Sequence, residues 1–167
     1  IDGLKNCGDL CLNTELSDIY ERWCKENPID HGVWGHWPRC YPEMPLTADI
    51  VKNAKAKSDK AVFVIGRSSG EDRENKLEEG SYYLTADEKS LIERVNSKFK
   101  KTVVVLNIGS IIDMSWEDEC LKGDSAILIP WQGGMESGNS LADVLLGVQE
   151  PSGRLADTIA LSYDDYP

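Results

Sequence analysis

No apolar run in the sequence approaches the roughly 18 residues that a membrane-spanning helix needs. The opening, IDGLKNCGDL, has neither the basic start nor the apolar stretch of a secretion signal. Positive charge is in short supply: 18 Lys and Arg stand against 29 Asp and Glu, for a net charge of −11. That balance argues against nucleic acid and anionic membranes as partners, since both are held by basic surfaces. Histidine is scarce, with 2 in the chain, His31 and His36, in one irregular stretch. No Ser or Cys elbow accompanies them, so no nucleophile constellation forms locally. The 5 cysteines, Cys7, Cys11, Cys24, Cys40 and Cys120, are odd in number and scattered. Such a set fits reduced thiols and a cytoplasmic setting better than a disulfide framework. There is no initiating Met and no internal repeat, which suits a domain cut from a longer protein.

What is present is a globular pattern. At 167 residues and 41 % apolar content the chain is long enough for one domain with a real core and too apolar for disorder. Residues 1–45 read as a leading segment and 46–167 as the main unit. In the leader, NTELSDIYERWCKEN places Leu16, Ile19, Tyr20 and Trp23 at helical spacing behind an Asn13 cap. PIDHGVWGHWPRCYPEMP, residues 28–45, is rich in Pro, Gly and aromatics, has no period, and reads as a long irregular excursion.

The main unit alternates helices and strands. A Thr47-capped helix carries Ile50, Val51 and Ala54 on one face. AVFVI (61–65) and TVVVL (102–106) are continuous apolar strands, separated by a helix whose Thr85 and Glu88 form a capping box. SWEDECL predicts a short helix capped by Ser115, AILIP (126–130) a third strand, ESGNSLADVLLG a helix stopped by Gly147, and TIAL a last short strand. Buried strands alternating with amphipathic helices define an α/β three-layer sandwich with a mainly parallel, flavodoxin-like sheet covered on both faces. So few strands predict that the first one lies before Ile1. SYDDYP reads as a linker leaving the domain.

In open α/β sheets ligands bind beyond the carboxyl ends of the strands. Three loops leave such ends: GRSSGEDREN, NIGSIIDMS and WQGGMESGN. In the first, Ser69 and Gly70 let the backbone turn freely and project Glu71. A carboxyl there makes a general acid once a covering surface makes it hold its proton. Arg73 acts against that, and the competing reading is a solvated loop in which Asp72, Arg73 and Glu74 pair locally. The third loop has the Gly-rich turn into a helix that suits phosphate, but it lacks Lys, fits neither nucleotide fingerprint, and carries Glu136. The alternative there is a tight strand-to-helix turn. Cys24, His31, His36 and Cys40 do not have zinc-finger spacing, so no metal and no cofactor is expected. Trp34 and Trp37 either stack on a sugar ring or anchor the excursion.

Taken in order, AVFVIGRSSGEDREN, GSYYLTADEKSLIERV, TVVVLNIGSIIDMSW, AILIPWQGGMESGNSLADVLLG and PSGRLADTIALSYDDYP resemble the second domain of glycoside hydrolase family 3, the β-glucosidase-like family. The resemblance is strong from Leu46 to the end. It implies an N-terminal barrel domain of the same protein that supplies an Asp nucleophile. It also implies that this sandwich supplies the general acid/base on a loop of the SSGE type, which places that role on Glu71. Ser69, Gly70, Asp72 and Arg73 would support the loop, with Trp131 and Glu136 at the cleft edge. Many members interpose a Gly, and often an aromatic, between the Glu and the Asp-Arg pair; here they adjoin. The SSGEDR run separates the chain from the β-N-acetylglucosaminidase branch, which uses a barrel His. The implied substrate is a terminal, non-reducing β-linked sugar of an oligosaccharide or glycoside. The rival from another class is a non-catalytic flavodoxin-like ligand-binding or interaction module using the same loops.

Overall fold

A computed structural model of the chain describes every residue except Asp9, Asp72, Asp157 and Pro167. Its helices are α1 (Asp2–Lys5), α2 (Thr14–Glu26), α3 (Ala48–Lys57), α4 (Ala86–Asn96), α5 (Trp116–Cys120) and α6 (Ser137–Leu145). Its strands are β1 (Lys60–Gly66), β2 (Lys101–Asn107) and β3 (Asp124–Leu128). Their starts follow the expected chemistry. The Asn13 and Thr47 side chains accept from the Leu16 and Ile50 amides. At α4 the box is complete: Thr85 accepts from the Glu88 amide and Glu88 from that of Thr85. Ser115 departs from expectation, because it does not cap α5. Its hydroxyl donates to Asp113 at 2.6 Å instead.

The strands form one parallel sheet in the order β1-β2-β3. The α/β sandwich read from the sequence is present. Phe63, Ile65, Val104 and Leu106 face a core shared with Leu91, Ile92 and Val95 of α4 and with Trp116, whose surface is fully enclosed. Trp116 keeps its indole N–H bonded to the Asp113 carbonyl at 2.8 Å. Coverage of the sheet is uneven, contrary to expectation. On β1 the alternate residues Val62 and Val64 are 46 % and 53 % exposed. An edge strand needs burial on one face only, and its apolar run gave no sign of which face stays open.

Two further expectations are corrected. The third strand occupies 124–128 rather than 126–130, because pairing with β2 begins at Lys101↔Asp124. The TIAL stretch has no strand partner among the described residues and is irregular. The SYDDYP tail does not simply lead away: Tyr163, in a short 3-10 turn, packs edge-on against buried Tyr82 at 5.1 Å between ring centroids.

The 28–45 excursion is fastened to the core at its far end, where Met44 is buried. Beside it, Glu43 accepts from the Tyr20 hydroxyl of α2 at 2.9 Å and from the Met44 amide at 3.1 Å. Burial pushes the Glu43 carboxyl above its ordinary value of 4.5, outweighing both of these bonds, which act in the opposite direction. A raised native value means the folded state holds this proton more tightly than the unfolded one. The contribution is therefore complete below the unfolded value and is lost as pH rises through the folded one. Glu43→Gln is expected to melt higher than the parent at neutral pH, with the difference shrinking toward zero below the unfolded value. A melting difference that is flat across that range would show that Glu43 is not the titrating group.

Candidate active site

The sheet register aligns Ile65 with Leu106 and Gly66 with Asn107. The loops that follow β1, β2 and β3 therefore leave the sheet along one edge. Arg67, the first residue beyond β1, is 4 % exposed. Its guanidinium makes a two-pronged pair with Glu88 of α4, at 2.7 Å on each prong. It also donates to the carbonyls of Gly66, Ser81 and Tyr83. Glu88 closes the α4 capping box with the same carboxylate. One ion pair thus fixes the exit of β1, the start of α4 and the 81–83 turn.

From that fixed point the GRSSGEDREN loop is tied on three sides. The Ser68 amide and hydroxyl donate to the carbonyls of Arg39 and Pro38, both in the excursion. Ser69 donates to Gln132 Oε1 at 3.2 Å, and Gln132 Nε2 reaches back to the Arg67 carbonyl at 3.4 Å. A Cβ on Gly109 would collide with both Ser69 and Gln132, so a glycine lets the second and third loops meet the first. Asn75 donates to the Ile111 carbonyl at 2.6 Å and accepts from Ser110.

Glu71 sits at the corner of a turn closed by the Arg73 amide donating to the Gly70 carbonyl at 3.1 Å. Its side chain is exposed. No ion pair joins Arg73 to it among the described residues. Instead its guanidinium donates to the carbonyls of Gly35 at 2.8 Å and Trp37 at 2.6 Å, and its central carbon lies 5.0 Å from the Trp37 ring centre. Asp72, also expected to support the loop, lies outside the described residues.

The other sequence candidates divide. Trp131 opens the third loop with a left-handed backbone, φ 56°, and is 38 % exposed. It is the one non-glycine with positive φ among the described residues. Such strain in a bulky residue collects at functional edges. Glu136 is exposed one residue ahead of α6 and accepts from Asn139. A cavity of about 570 Å³ opens beside the loops, between the 39–43 segment, the ends of β1 and β2 and the start of α6. His31 contacts the Tyr41 hydroxyl at 3.2 Å, and Cys40 lies against Gly80. Sequence reasoning missed Gly35, Trp37, Gln132 and Asn75 as loop partners. The aromatic density of residues 34–41 was the available signal, since an irregular stretch that dense in rings needs a surface to pack on.

An α/β sandwich that gathers polar loops and an exposed carboxylate at the carboxyl edge of its sheet is a ligand-facing domain. Residues 12–167 match the Glycosyl hydrolase family 3 C-terminal domain. The chain is 44 % identical to a β-glucosidase of Ruminococcus albus over 167 residues, covering 99 % of this chain and 17 % of that protein. With β-glucosidase A of Butyrivibrio fibrisolvens it shares 35 %, over 91 % of this chain and 21 % of the other. A solved β-glucosidase from Paenibacillus barengoltzii superposes with TM-score 0.89 at 42 % identity, over 99 % of this chain and 18 % of that one. β-glucosidase 3B from Thermotoga neapolitana in complex with glucose gives 0.82 at 38 %, over 99 % and 23 %. The chain belongs to glycosyl hydrolase family 3, as its C-terminal domain. It spans about a fifth of the length of these curated relatives.

The buried pair makes a direct prediction. Arg67→Met leaves the Glu88 carboxylate buried without its partner, and breaking such a pair costs about 3–5 kcal/mol. Urea denaturation should show that loss, and Arg67→Met combined with Glu88→Leu should recover part of it. A double variant as unstable as the sum of the singles would rule out coupling between the two groups.

Proposed function

We propose that this chain is the proton-transferring domain of a retaining β-glycosidase of the β-glucosidase type, acting on terminal, non-reducing β-linked sugars. Glu71 is its general acid/base. The observation that supports this most is the placement of Glu71: an exposed carboxyl at the corner of a closed turn, on a loop tied to all the neighbouring strand-end loops and the excursion. A proton donor must stand within about 2.6–3.2 Å of the atom it serves, so a braced loop suits the role better than a free one. Ser69, Gly70, Asp72 and Arg73 support the loop, and Trp131 and Glu136 border the cleft. The five unpaired cysteines favour a reducing, cytoplasmic setting.

Retaining hydrolysis needs two carboxyl groups about 5–5.5 Å apart across the scissile bond. One attacks the anomeric carbon and forms the glycosyl-enzyme. The other gives its proton to the leaving oxygen, then takes one from the water that releases the sugar. Glu71 performs the second task, and an Asp on a barrel domain of the same polypeptide performs the first. To hold a proton at working pH the acid needs burial, which the open face of this domain does not give Glu71. Burial comes when the barrel and substrate cover the edge. It follows that the isolated domain hydrolyses no glycoside.

The test is Glu71→Ala in the full-length parent, assayed on aryl β-glycosides with good and poor leaving groups, with and without azide. Loss of about 10²–10⁴-fold is expected for poor leaving groups, a much smaller loss for activated ones, and formation of a β-glycosyl azide. A uniform loss across substrates, or none, would remove Glu71 from the role. Substantial activity in the purified domain alone, abolished by Glu71→Gln, would overturn the two-domain division of labour.

A further inference from the structure

We propose that Trp37 is the positioning residue of the proton-transferring loop: its indole is both the floor under the turn that carries Glu71 and the face on which Arg73 is held. This inference rests on the reading of Glu71 as acid/base and deepens it, because it assigns a task to an aromatic segment some 34 positions earlier in the chain.

The contacts converge on one ring. A Cβ built on Gly70 would lie 2.6 Å from Trp37 Cζ2 and 3.2 Å from Cη2, so the loop backbone rests directly on the indole edge. The Arg73 guanidinium carbon stands 5.0 Å from the ring centre, within reach of a cation–π contact. The same arginine donates to the Trp37 carbonyl at 2.6 Å and to that of Gly35 at 2.8 Å. Gly70 and Arg73 are the two ends of the closed turn, and Glu71 stands between them. Trp37 therefore touches both posts of the turn.

Of the two expectations for the tryptophan pair, these contacts favour an anchoring role for Trp37. With its edge under Gly70 and the Arg73 cation against the ring, it is half-buried and spent on the loop, whereas Trp34 is 83 % exposed. The chemical consequence follows from the tolerance of proton transfer. A misplacement near 1 Å of a catalytic group costs about 10²-fold in rate. A loop that lost its floor would still fold against Ser68, Gln132 and Asn75, but the turn between them would wander. The damage would appear where protonation of the leaving group limits the rate and be small where it does not.

The experiment uses the full-length parent carrying Trp37→Ala, Trp37→Phe, Arg73→Met or Glu71→Ala. Each is assayed for kcat and KM on aryl β-glycosides spanning good and poor leaving groups. Trp37→Ala is expected to lose about 10–100-fold in kcat on poor leaving groups and less than about 3-fold on activated ones, with KM nearly unchanged. Trp37→Phe keeps a ring under Gly70 and should retain most of the activity. Arg73→Met removes the cation held by the ring and should reproduce the selective loss in milder form, and it decides the matter if Trp37→Ala does not accumulate as folded protein. If Glu71→Ala is leaving-group selective while Trp37→Ala and Arg73→Met fall uniformly or not at all, Trp37 positions nothing and the reading of Glu71 stands. If Glu71→Ala itself shows no selectivity, that reading fails and this inference fails with it.

Discussion

The buried pair between Arg67 and Glu88 is the constraint on which the working edge of this domain depends. A guanidinium that is 2 % exposed at its side chain cannot be left without a partner, and a carboxylate at 9 % cannot either. Together they fix three things that are distant in sequence: the last residue of an edge strand, the first turn of the central helix, and the carbonyls of the 81–83 turn. Every contact of the following loop is measured from that fixed point. Replacing the pair by apolar residues of similar size need not weaken the fold. It would remove the directional donors that decide where the chain goes after Gly66.

Downstream of that point the polar side chains have a common purpose. Ser68 and Arg73 spend their hydrogen bonds on the excursion, Ser69 on the loop after β3 and Asn75 on the loop after β2. Glu71 makes none of these bracing contacts among the described residues. A carboxylate that took part in this bracing would be tied to a cation or an amide and would hold its proton poorly. This division of labour leaves Glu71 exposed at the corner of a loop braced on several sides.

Much of the fold was legible because its signals are local. Thr47, Thr85 and Asn13 announce helix starts within three residues of themselves, and the Val-rich runs read as strands. What failed were features that depend on a partner. Ala126–Pro130 is as apolar as a strand should be, but pairing with β2 shifts the ladder to Asp124–Leu128. The TIAL stretch has strand-forming residues and no strand beside it. The open face of Val62 and Val64 is decided by what lies across from β1, which no periodicity within β1 records. At the candidate site, Glu71 was singled out through a resemblance and through its position after a strand. Its support from Trp37 was hidden because the two segments meet only in space, more than thirty residues apart.

The tethering of the loop has a mechanical consequence. A segment pinned at Ser68 and Ser69 and again at Arg73 has little slack between its pins. Gly70 and Glu71 already lie in a closed turn, with Gly70 over an aromatic floor. Such a segment cannot swing out to meet a substrate the way a hinged flap does. Its corner travels only when its pins travel, and the pins belong to the sheet edge and the excursion. A shift of the sheet edge or of the excursion is therefore felt at Glu71, and the stiffness of those two segments becomes the stiffness of the corner itself.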